Sequence, residues 1–197
     1  MSNQILGLHH ITAISDNAQR NLDFYTGILG LRLVKKTVNF DDPGTYHFYY
    51  GDEKGTPGTI LTFFPWEGIG KGYTGTGMAT EIGYSVSPGS LAFWEDRFKQ
   101  FNVPTKEKSE RFGETHLPFS DPDGLALALV ESKQTDSRNG WQTMAIHSED
   151  TIKGFSQVTL TLRKAEMTAK ILTDIFGYQL LSQEANRYRF ITDAIST

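Results

Sequence analysis

Tyr25-Thr26-Gly27-Ile28-Leu29-Gly30-Leu31-Arg32-Leu33-Val34 recurs as Leu172-Thr173-Asp174-Ile175-Phe176-Gly177-Tyr178-Gln179-Leu180-Leu181, at a constant offset of 147 residues. In each copy an apolar stripe runs to a glycine and then into alternating residues, which reads as a helix that ends and hands the chain to a strand. The same offset sets Gln157 opposite His10, Ser156 opposite His9 and Thr159 opposite Thr12. Repeats of this length are supersecondary units that bury their apolar faces by pairing.

Working outward from the first copy, Ile5 to Ser15 has a strand pattern and Asp16-Asn17 offers a helix N-cap. Leu22, Phe24, Tyr25, Ile28 and Leu29 then supply the apolar stripe of a helix of about three turns. Leu31 to Phe40 alternates, Asp41-Asp42-Pro43-Gly44 turns, Tyr46 to Tyr50 is a short aromatic strand, and Thr59 to Trp66 follows the Pro57-Gly58 turn. The unit is βαβββ, over residues 1–67.

After the glycine-rich connector Gly68 to Gly77, residues 78–132 repeat the order. Ala79 to Val86 is a strand, Ser90 to Phe101 a helix, Arg111 to Phe119 extended, and Leu125 to Glu131 a strand after Asp121-Pro122-Asp123-Gly124. Residues 133–153 are polar and uneven and read as a linker. The third unit, 154–197, stops one or two strands into itself. The expected fold class is therefore α+β, with two complete βαβββ modules and part of a third. A unit left incomplete exposes an edge, and self-association into a homo-oligomer is the expected way to cover it.

Composition narrows the function classes. With 19 basic against 23 acidic residues the net charge is −4, which gives no electrostatic reason to bind nucleic acid or an anionic membrane. The absence of cysteine excludes disulfides, thiolate metal sites and a cysteine nucleophile. Met-Ser-Asn-Gln opens no signal peptide and no apolar run is long enough to span a bilayer, so a cytoplasmic location is expected.

Within this frame the adjacent pair His9-His10 stands out, because it puts imidazoles at the head of an otherwise apolar strand. Imidazole is the commonest metal ligand among side chains. Strand alternation sends neighbours to opposite faces, so one ring is expected to bind and the other to support. His47, inside Tyr46-His47-Phe48-Tyr49-Tyr50, faces either the same side as His10 or the opposite one. Glu131 reads as a solvated strand end, Glu81 as an edge or interface carboxylate, His116 and His147 as surface residues, and Lys35-Lys36 as a solvated strand edge. Gly70-Lys71-Gly72 lacks the strand-to-helix context and Ser/Thr ending of a phosphate loop.

Leu8-His9-His10-Ile11-Thr12-Ala13, the run from Phe24-Tyr25 through Gly30 to Pro43 and Thr59-Ile60-Leu61-Thr62-Phe63-Phe64-Pro65-Trp66, together with the repeat, resemble the vicinal oxygen chelate superfamily of glyoxalases, bleomycin-resistance proteins and extradiol dioxygenases. More narrowly, they are similar to bacterial ring-cleaving dioxygenases that act on hydroquinones. The resemblance implies βαβββ modules paired into curved sheets around a divalent metal. The implied metal is Fe(2+), with Mn(2+) the alternative, held by two histidines and one glutamate with positions open for a small aromatic substrate and dioxygen.

Carried over residue by residue, the resemblance makes His10 the metal ligand and His9 and Thr12 catalytic supporting groups in the same pocket. It also implies positions that this chain does not fill. The carboxylate place falls on Thr62 after Gly58 and Ala128 after Gly124, and the places equivalent to His10 are Glu81 and Gln157. Three readings follow: part of an iron-dependent ring-cleaving dioxygenase, a metal-free small-molecule binding or resistance module of the same fold, or a C-terminally truncated, inactive fragment.

Overall fold

The structure is a computed structural model and describes residues 5–132 and 136–192. Asn17 opens the first helix as the sequence suggests, its side chain accepting from the Arg20 amide at 2.9 Å. The helix α1 (Ala18–Leu22) continues without a break as a π-helix over Asp23–Ile28, where Leu29 N–H donates to the Phe24 carbonyl at 3.0 Å. Gly30, at φ +67°, ends it. Around this helix run β1 (His10–Ser15), β2 (Arg32–Val38), β3 (Tyr46–Gly51) and β4 (Ile60–Pro65), hydrogen-bonded in the order β1-β4-β3-β2. β1 and β4 are parallel and the other pairs antiparallel.

The second unit repeats the topology. Strands β5 (Met78–Val86), β6 (Ser109–Arg111), β7 (Glu114–Ser120) and β8 (Ala126–Glu131) take the order β6-β7-β8-β5, with α2 (Leu91–Gln100) against them. The stretch expected as one extended segment from Arg111 is a hairpin, because Phe112 and Gly113 both sit in the left-handed region, at φ 53° and 73°. The third unit's first strand, β9 (Gly154–Thr161), adds antiparallel to β5 and makes this sheet five-stranded. Its α3 (Glu166–Lys170), a π-helix over Ile171–Ile175, and the hairpin β10 (Gln179–Glu184) with β11 (Arg187–Ile191) follow. The repeat extends to hydrogen bonds: Phe176 N–H to the Ile171 carbonyl and Tyr178 N–H to the Leu172 carbonyl match Leu29 to Phe24 and Leu31 to Tyr25 at the same offset of 147.

One apolar core joins the first two units. Tyr25 stacks on Tyr50 at 5.1 Å and packs on Phe63, while Trp94 and Phe98 pack over Phe119 and Leu129. Polar links also cross between them: the Tyr25 hydroxyl donates to Asp121 Oδ2 at 3.0 Å, Arg97 donates to the Ile28 and Gly27 carbonyls at 2.7 Å each, and Arg20 pairs with Asp123. The connecting segment from 136 to 153 has no helix or strand, yet it is more than a linker. Ile146 and Ile152 are buried, Arg32 lies over Trp141, and Trp94 donates to the Asp150 carbonyl. Among the described residues no helix is long and apolar enough to cross a membrane.

Candidate functional site

β1 alternates strictly. Ile11 and Ala13 pack on the core, while His10, Thr12 and Ile14 are exposed on the other face. The register extends that face across the sheet: His10 lies beside Ile60, Thr12 beside Thr62, Thr62 beside Tyr49, and Tyr49 beside Lys35. In β3, Phe48 and Tyr50 fill the core, so His47 and Tyr49 must point the opposite way. This settles the orientation of His47: it shares the face of His10 and Thr12.

The polar groups there form a row. Thr62 Oγ1 donates to Thr12 Oγ1 at 2.9 Å, His47 Nε2 lies 3.1 Å from Thr62 Oγ1, and the Tyr49 hydroxyl lies 2.9 Å from His47 Nδ1. The His47 ring is stacked on Phe64 at 4.0 Å. Burial, then the charges of Lys35 and His10, push the His47 pKa below the ordinary histidine value, so the ring is neutral at neutral pH.

His9 corrects the expectation from alternation. β1 begins at His10, so His9 escapes the pleat; its Nδ1 lies 3.0 Å from His10 Nδ1, with the rings edge to face. One of the two Nδ1 atoms carries a hydrogen and the other accepts it. When His10 donates, its Nε2 lone pair is left available as a ligand.

Among the described residues no group of three His, Asp or Glu side chains is placed to hold a metal ion. Among the described residues the paired strand positions of this face hold no carboxylate: Thr62 and Ala128 occupy the implied carboxylate positions, Thr62 within the polar row and Ala128 buried in the second sheet. Glu81 is engaged by Arg111, and Glu131 accepts from the Gly89 amide at 2.5 Å. Lys35 and Lys36 are exposed and lie over the Tyr49 and Tyr46 rings. His147 is exposed, but His116 is not the surface residue expected from its weakly patterned stretch. It is fully buried, with neither ring nitrogen hydrogen-bonded among the described residues, near the Glu81–Arg111 and Glu114–Arg189 ion pairs. The third unit supplies Arg189, a long-range contact with no local sequence signal.

The comparisons with known proteins agree with this architecture. The chain is 48% identical over 195 residues to the protein named "Putative ring-cleaving dioxygenase MhqO" of Bacillus subtilis (strain 168), covering 98% of this chain and 62% of that protein. It is 32% identical over 190 residues to the chlorohydroquinone/hydroquinone 1,2-dioxygenase of Sphingobium indicum, covering 95% and 59%. A crystal structure described as a "putative dioxygenase" from Bacillus subtilis superposes with a TM-score of 0.91 at 46% identity, covering 97% of this chain and 61% of that one. The chain thus spans about three-fifths of the length of these relatives. The model of the Glyoxalase/Bleomycin resistance protein/Dioxygenase superfamily matches residues 7–129, and with the repeated βαβββ topology this establishes that the chain belongs to that superfamily.

Proposed function

We propose that this chain carries the first-unit face of a ring-cleaving dioxygenase site, which takes a hydroquinone-type phenol as substrate with dioxygen as co-substrate. The observation that carries the reading is the 48% identity over nearly the whole chain to a protein bearing a ring-cleaving dioxygenase name. In this reading His10 contributes one imidazole to Fe(2+), or to Mn(2+), His9 orients it through Nδ1, and Thr12 meets the substrate.

The donors among the described residues do not by themselves fit a two-histidine, one-carboxylate iron site, since the paired strands of this face present imidazoles and hydroxyls and no carboxylate. What the chain's own residues supply is recognition. Hydroxyls and a neutral imidazole beside Lys35 favour an anionic phenolic oxygen over a neutral one. Purified protein titrated anaerobically with Fe(2+) is expected to bind the ion through His10 more weakly than a complete three-ligand site, with oxygen uptake on hydroquinone tracking the iron bound, and His10→Ala to lose the metal. Unchanged iron retention by His10→Ala would remove the ligand assignment.

The missing carboxylate favours a second reading, a metal-free binding module of the same fold. Saturable phenol binding by chelator-stripped protein, with no oxygen uptake after iron is restored, would select it.

A further inference from the structure

Thr12, Thr62, His47 and Tyr49 join three neighbouring strands by consecutive hydrogen bonds, and the direction of each can be read. The Thr62 hydroxyl hydrogen goes to Thr12, so His47 Nε2 must supply the hydrogen between itself and the Thr62 oxygen. His47 Nδ1 is then the lone-pair nitrogen that accepts from the Tyr49 hydroxyl. Every group donates toward β1. The last of them, Thr12, accepts from Thr62 and keeps its own hydrogen, on an exposed residue next but one to His10.

We propose that His47 is a positioning residue for oxyanion recognition, holding the Thr62 and Thr12 hydroxyls in the one orientation that presents the Thr12 O–H to a phenolate oxygen in front of β1. The proposal rests on the reading of this face as the substrate face and names the group that meets the substrate's anionic oxygen. Three observations converge on it. The His47 ring is clamped between the Thr62 and Tyr49 hydrogen bonds and stacked on Phe64 at 4.0 Å, so it cannot turn without breaking the row. Consecutive donors polarise one another, which strengthens the terminal one. Among the described residues no carboxylate stands at the paired strand positions of this face to repel an anion or to take up the donor, and Lys35 stands 5.4 Å over the Tyr49 ring.

The test uses 4-nitrophenol as probe, read by its phenolate absorbance, with the full chain, Thr12→Val, His47→Leu and His47→Gln. Saturable binding of the phenolate is expected, weakened about tenfold by Thr12→Val and by His47→Leu. His47→Gln should recover most of the loss, because its amide N–H can donate to Thr62. Below the probe's own pKa the neutral phenol should distinguish the variants little. Separately, 15N chemical shifts of the His47 ring in the free protein should report the Nε2–H tautomer. If the unaltered chain binds saturably and Thr12→Val weakens binding while His47→Leu does not, the positioning role is overturned and the substrate face survives. An Nδ1–H tautomer likewise reverses the row and overturns the role. No saturable binding by the unaltered chain overturns the substrate-face reading and the proposal with it.

Discussion

Tyr25→Phe isolates one polar link between the first two units. The variant keeps the ring, with its stacking on Tyr50 at 5.1 Å and its contact with Phe63 at 4.7 Å, and deletes one hydroxyl. That hydroxyl donates to Asp121 Oδ2 at 3.0 Å where Tyr25 is 0% exposed and Asp121 3% exposed, so water cannot readily take its place. Asp121 Oδ1 keeps its bonds from the Asp123 and Leu125 amides, but Oδ2 loses its partner. A hydrogen bond to a charged group contributes about 1.5–3 kcal/mol. The more apolar Phe offsets part of this, leaving a loss of about 2 kcal/mol, or about 4–8 °C in Tm for a domain of this size. Burial raises the Asp121 pKa and the Tyr25 hydroxyl opposes that rise, so the link favours the carboxylate. As pH falls through the Asp121 pKa, the bond becomes neutral to neutral and its contribution drops to about 1 kcal/mol. Urea unfolding at neutral pH and again in acid measures both values. A cost below about 0.5 kcal/mol at neutral pH, or a cost that grows on acidification, would refute the reasoning.

The glycines related by the repeat should differ. Both sit in the left-handed region, but a Cβ on Gly30 would lie 2.4 Å from Ile146 Cδ1 whereas one on Gly177 would meet nothing within 4 Å, so in thermal melts Gly177→Ala should cost only the backbone term of about 1 kcal/mol and Gly30→Ala about 1–3 kcal/mol more than that. His116→Leu should stabilise the protein by about 1–2 kcal/mol. Burial holds the folded His116 pKa below 6.5, so the unfolded chain takes up the proton first and wild-type stability falls as pH drops below that value; the Leu variant should lose this slope in urea titrations. Arg111→Met alone leaves the Glu81 charge nearly buried and should cost about 3 kcal/mol, while Glu81→Leu combined with Arg111→Met should cost much less; additive losses in the double-mutant cycle would show that the pair is uncoupled.

Periodicity carried the strands, the helices and the repeat, because each depends on residues a few positions apart. It could not distinguish the π-helix at Asp23–Ile28 from an α-helix, since Leu22, Phe24, Tyr25, Ile28 and Leu29 make an acceptable stripe in either. The hairpin at Phe112-Gly113 lacks the Asn-Gly or Asp-Gly signal of a tight turn and was hidden in an extended pattern. Strand parity grouped His47 with Tyr49 but could not say which face they share. That was decided by Phe48 and Tyr50 entering the core beneath Tyr25. His116 lies in a weakly patterned stretch that reads as surface, and its burial comes from tertiary packing, with Arg189 arriving from 75 residues away on Glu114.

The two faces built from the repeat differ in what their polar groups are bound to. β5 and β9 pair about a local two-fold, with Glu81 beside Thr159, Ile82 beside Val158 and Gly83 beside Gln157. The corresponding residues of β1 are His10, Ile11 and Thr12, and no strand among the described residues pairs with its outer edge. On the second face Glu81 is neutralised by Arg111, and Glu114 by Arg189 from the third unit. These carboxylates are satisfied by cations, and the Glu114–Arg189 pair joins the second unit to the third; a buried, paired charge of this kind has little to offer a ligand. On the first face the polar row ends in an unused donor at Thr12, and His10 keeps a ring nitrogen that its bond to His9 does not occupy. Two copies of one βαβββ unit therefore differ: the second sheet commits Glu114 to the third unit, whereas among the described residues the first leaves a hydroxyl and an imidazole nitrogen unengaged on its exposed face.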